Sequence, residues 1–115
     1  MPERQDGRAL QAELERGQRL LSAGDIKGAI GALKNVEGLA PDDARPVCLR
    51  SVALDKTGDI YNAMAKARRA VRLDPKSAMA LTNLGRLLSD KQYLDEVSDS
   101  LQSGSIPETL DRGLN

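Results

Sequence analysis

The sequence contains no histidine, no tryptophan and no phenylalanine, only two tyrosines, and a single cysteine, Cys48. Each gap excludes a kind of chemistry. Without histidine the chain lacks the usual general base near neutral pH and the commonest metal ligand. Cys48 has no imidazole to activate it and no second thiol to pair with, so it reads as a small buried or groove-lining hydrophobe. With aromatics at 2%, the core must be filled by Leu, Ile, Val, Met and Ala, the side chains of closely packed helices. No apolar run approaches the roughly 20 residues that cross a bilayer. The heavily charged stretch Met1 to Arg19 offers no signal-peptide core, so as a complete product the chain is expected in the cytoplasm.

What is present suits one soluble domain: 115 residues, 40% hydrophobic and 30% charged, with no net charge. The charge is unevenly spread. Residues 1–44 carry six basic and eight acidic side chains, residues 45–76 eight and three, and residues 77–115 three and six. A basic middle between acidic flanks suits solvated helical faces, and it also suits an acidic partner or another copy of the chain. Nothing aromatic interleaves the basic residues to stack on bases, which argues against nucleic acid. Gly24, Gly28 and Gly31 form neither a phosphate loop nor a dinucleotide fingerprint. Asp95, Glu96 and Asp99, and the run Lys66, Arg68, Arg69 and Arg72, read as solvated helix faces. No catalytic residue, metal or cofactor is expected, and the chain is not expected to be an enzyme.

A period of 34 residues organises the chain. Gly24-Asp25-Ile26-Lys27-Gly28-Ala29 recurs as Gly58-Asp59-Ile60-Tyr61-Asn62-Ala63. The same offset aligns Gly17 with Ser51 and Gly85, Leu20 with Leu54 and Leu88, and Ile26 with Ile60 and Leu94. It also aligns Ala29 with Ala63 and Val97, and Leu33 with Ala67 and Leu101. Each copy reads as two helices: an apolar stripe, a stop at glycine, an aspartate able to cap the next helix, a second stripe, then Pro41 or Pro75. The third copy is expected as helices over 78–89 and 93–103, although Gln92 replaces the turn glycine. Ser105 and Pro107 could open a short helix through Asp111. Helix pairs of this length cannot bury their apolar faces alone, so they must stack.

These features resemble the tetratricopeptide repeat, over about residues 8–41, 42–75 and 76–109, with residues 1–7 as a flank and 110–115 as a tail. The resemblance implies an all-α, right-handed helical-repeat solenoid of three antiparallel helix pairs. It also implies a concave surface, lined by the first helix of each pair, that holds a partner protein. Carried over position by position, that surface comprises Gln11, Leu14, Gln18 and Leu21; Arg45, Cys48, Leu49, Val52 and Asp55; and Met79, Thr82, Asn83, Arg86 and Asp90. Co-chaperones of this family grip a C-terminal carboxylate with a clamp whose positions fall here on Leu14, Gln18, Leu49, Met79 and Asn83. Only Asn83 conforms, so an extended or helical segment with apolar anchors is expected instead. The alternative reading is a structural element that assembles into homo-oligomers through its exposed ends.

Overall fold

The computed structural model describes residues 2–103, with side chains from residue 7 onward except those of Tyr93, Val97, Ser100, Leu101 and Ser103. Among the described residues there are five helices and no strand: α1 (Pro2–Ala23), α2 (Ile26–Leu39), α3 (Ala44–Lys56), α4 (Ile60–Leu73) and α5 (Ala78–Ser103). The architecture is the expected all-α helical repeat. Helix α1 already begins at Pro2, so most of the expected flank is helical. The short helix expected between Ser105 and Asp111 lies outside the described residues, as does the tail.

Two chain reversals are built alike. Gly24 and Gly58 take φ of +88° and +86°, where a Cβ would be strained. The Asp25 amide donates to the Leu20 carbonyl (2.9 Å) and the Gly24 amide to that of Leu21 (3.2 Å). Asp59 to Leu54 (3.1 Å) and Gly58 to Asp55 (3.0 Å) repeat the pattern. Both are Schellman closures, which satisfy carbonyls orphaned at the helix end. The aspartate that follows then caps the next helix: Asp25 Oδ1 accepts from the Gly28 amide at 3.0 Å and Asp59 Oδ1 from that of Asn62 at 3.3 Å. Asp43 does the same for α3 through the amide of Arg45.

Packing follows the columns. Leu14, Leu21, Ala29, Leu33, Val36, Leu49 and Ala53 form one buried cluster joining α1, α2 and α3. Val47, Cys48, Ala70 and Ala80 form a second, and Ala63, Met64, Ala67 and Leu87 a third, both tying α5 to the α3–α4 pair. The small-residue column sets how closely helices meet. A Cβ on Gly17 would lie 2.8 Å from Leu33 Cδ2, and Ser51, fully buried, donates to the Ala63 carbonyl at 2.7 Å.

The third copy departs from expectation. Its two helices are one, the 26-residue α5, about 39 Å long. The physical reason lies at the reversal, where Gln92-Tyr93 stands in place of Gly-Asp. A residue with a Cβ in the left-handed region costs about 1–2 kcal/mol, and a missing Asp cap about 1 kcal/mol more. Gln92 and its neighbour Lys91 are good helix formers, so the helix continues. Beyond Leu87 no described side chain is buried. The molecule is correspondingly drawn out, at 64 × 28 × 23 Å with a radius of gyration of 17.3 Å, against roughly 13 Å for a compact domain of about 100 residues.

Candidate functional site

One cleft lies between α3 and α5. Val52, Asp55 and Lys56 line it from α3, and Ala78, Met79, Thr82, Asn83 and Arg86 from α5, around about 560 Å³. These positions recur at three- and four-residue steps, so each helix presents one stripe to the opening. Val52, Ala78 and Met79 make an apolar floor, with Met79 45% exposed. The walls are polar.

A chain of hydrogen bonds fixes those walls. Arg86 Nη1 pairs with Asp55 at 2.7 Å and reaches Asp90 at 3.4 Å, and its Nη2 donates to Asn83 Oδ1 at 3.0 Å. Asn83 Nδ2 donates to Ser51 Oγ at 2.9 Å, and Ser51 in turn bonds the α4 backbone at Ala63. Asn83 is buried, and both ends of its amide are committed within the protein. The one residue that fits a carboxylate clamp is therefore already in use.

The expected surface residues divide. Val52, Met79, Asn83 and Arg86 converge on this cleft, with Asp55 and Thr82 beside them. Leu14, Leu21, Cys48 and Leu49 do not. They are buried between helices, with Leu14 2% and Cys48 1% exposed. The first helix of a pair faces its own second helix and both neighbours, and a stripe of helical period does not distinguish those contacts from the open side. Burial pushes the Cys48 thiol up from its ordinary value, which keeps it protonated and unreactive. Gln18 lies on a separate hollow of α1, with Glu15, Arg19, Ser22 and Ala23. Arg45 sits at the start of α3, where it forks onto Asp43 (Nε to Oδ1 at 3.0 Å, Nη2 to Oδ2 at 2.7 Å) and reaches Gln11 at 3.3 Å. The side-chain hydrogen bond from Arg45 holds the Asp43 carboxyl below its usual range.

Lys56 and Ala78 were missed by the sequence reading, although both fall at the spacing of neighbours that were included. Lys66 is tied to Glu37 (3.3 Å), which Arg50 also engages, so the basic run on α4 is partly neutralised. Asp95 accepts from Lys91 at 2.7 Å. Among the described residues no cluster of three or more acidic, His or Cys side chains could hold a metal ion. No helix among them is long and apolar enough to cross a membrane.

The fold and its cleft define a helical-repeat scaffold with an exposed trough. Comparison with solved structures places that scaffold in the tetratricopeptide-repeat fold. An O-GlcNAc transferase mutant from Thermobaculum terrenum is similar over 72% of this chain, with a TM-score of 0.69 and 30% identity. The second TPR of Spaghetti (RPAP3) bound to the HSP90 peptide SRMEEVD is similar over 89% of this chain and 94% of its own, with a TM-score of 0.71 and 19% identity. The UNC-45 chaperone, which binds and folds muscle myosin, is similar over 82% of this chain, with a TM-score of 0.67 and 22% identity. The chain spans only 16% of the transferase and 10% of the UNC-45 chain. No protein-family model and no curated protein sequence matches it.

Proposed function

We propose that this protein is an interaction module that receives an extended or helical segment of another protein in the cleft between α3 and α5. The observation that carries the reading is the cleft itself, an apolar floor of Val52, Ala78 and Met79 within walls fixed by Asp55, Asn83 and Arg86. An aliphatic side chain of the partner anchors on the floor, and the polar rim aligns its backbone. The peptide bound by the structurally similar second TPR of Spaghetti supports the idea that such a scaffold takes a segment of chain. The chemistry differs here. Leu14, Leu49 and Met79 stand at clamp positions and Asn83 is spent on Ser51, so the partner is held by apolar anchors and not by a terminal carboxylate.

Peptides selected from a random displayed library against the intact chain should share an aliphatic anchor. Met79→Glu, on a side chain already 45% exposed, should weaken them at least tenfold, about 1.4 kcal/mol, with the thermal midpoint unchanged. Equal affinity for wild type and Met79→Glu would remove the cleft from consideration.

A further inference from the structure

The same register column gives opposite surroundings at Gly17 and Gly85. A Cβ on Gly17 would collide with Leu33, whereas a Cβ on Gly85 would meet nothing within 4 Å. Around Gly85, Leu81 and Leu88 are 48% and 43% exposed, and Leu84 is only partly buried. Leu81, Gly85 and Leu88 fall at i, i+4 and i+7, so they share one face of α5. In the first two copies the second helix of the pair covers this column. Here α5 runs on without reversing, because Gln92-Tyr93 has replaced Gly-Asp, and nothing among the described residues takes that place.

We infer that this face is covered by a second copy of the chain, through antiparallel α5 helices related by a two-fold axis beside Gly85. The face is self-complementary. An axis midway between residues 84 and 85 sets Leu81 opposite Leu88 of the second copy, and Leu84 opposite its Gly85. Each large side chain then meets space in the other helix, the arrangement that Gly17 and Leu33 already make within one chain. A two-fold contact requires such self-matching.

Charge points the same way. In that register the back half of α5, with Asp95, Glu96 and Asp99, runs past the start of the other α5. There it lies alongside the end of α4 and the α4–α5 turn, where Arg72, Asp74 and Lys76 are exposed, two cations to one carboxylate. Residues 45–76 carry a net charge of +5 and residues 77–115 a net charge of −3, so the contact sets unlike charges together twice. This inference concerns a different face from the cleft and does not depend on a peptide binding there.

Light scattering and sedimentation of the full chain across a dilution series test it. A dimer that dissociates on dilution, and more readily as salt rises, is expected. Gly85→Gln should raise the dissociation constant at least tenfold without lowering helix content or the monomer's melt, because its side chain points into open space in one copy and glutamine is the better helix former. Gln92→Gly with Tyr93→Asp restores the reversal signal and should give a monomer by returning residues 93–103 to this face. A chain monomeric at every concentration would overturn the inference. So would a dimer indifferent to Gly85→Gln, or a monomer whose Leu81–Leu88 amides are protected from exchange by another part of the chain.

Discussion

The pair α3–α4 and the single helix α5 start from the same register of small and large residues and end as different structures. In the pair, Ser51 is buried against Ala63 and Leu54 packs beside Met64 and Ala67. In α5 the matching Gly85 faces open space and the matching Leu88 is 43% exposed. The apolar columns are retained in both. What differs is the dipeptide at the turn, Gly58-Asp59 in one and Gln92-Tyr93 in the other. Packing residues make a hairpin favourable, but the backbone must still be able to reverse. A glycine at positive φ and a capping carboxylate decide that locally.

Substitutions at matched and neighbouring positions sharpen the contrast. The largest effect is expected between adjacent leucines of α5. Leu87 is fully buried, so Leu87→Ala should cost about 2–5 kcal/mol in urea unfolding. Measured at concentrations low enough to hold one copy apart from another, Leu88→Ala should cost less than about 1 kcal/mol, because much of that side chain is already in water in the single chain. Similar losses for the two would mean that the outer face of α5 is covered within one chain.

Next come the two glycines, where the sign itself should change. Gly17→Ala forces a methyl group against Leu33 and should destabilise by about 1 kcal/mol or more. Gly85→Ala should stabilise the monomer by about 0.5–1 kcal/mol, since alanine loses less backbone freedom in a helix. Thermal melts at concentrations low enough to hold one copy apart from another would show it, and two shifts of the same sign would break the comparison.

The smallest effect concerns a cap that both halves of the molecule depend on for placing α3. Asp43 has its folded-state pKa lowered by Arg45, so the unfolded chain binds its proton more readily. The resulting stability is fully present above the unfolded value near 3.8 and is lost as pH falls through the lower folded value. Asp43→Asn keeps a capping oxygen but not the charge. Wild type should therefore exceed the variant modestly at about pH 6 and converge with it as the pH falls through the lowered folded-state value. A gap independent of pH would show that the fork from Arg45 contributes nothing.

Much of the fold was legible because its signals are local. The stops at Gly24 and Gly58 and the caps at Asp25 and Asp59 depend on neighbours within one turn of helix, and their recurrence at 34 residues marks the repeat. The third hairpin was misread because the columns through Leu94, Val97 and Leu101 continue in step after the turn signal has gone. The two kinds of evidence conflicted, and the backbone followed the turn. The candidate site was half legible. Val52, Met79 and Arg86 reach the opening, but Leu14, Cys48 and Leu49 share their spacing and are buried. Which neighbour a stripe meets is settled by how successive pairs are rotated, and no single stripe carries that information.

The bonds from Arg86 through Asn83 and Ser51 to the Ala63 carbonyl bear on how successive units stay aligned. Alanines and leucines would tolerate one helix sliding along another by a turn, since one methyl surface is much like the next. A donor–acceptor thread spanning three helices tolerates no such slip, because a shift of about 5 Å would strand an amide and a hydroxyl out of water. The thread thus acts as a ratchet pin. It adds little to strength, yet it holds the spacing between rungs to a single value, and the segment proposed to lie across those rungs would meet one ruler instead of several.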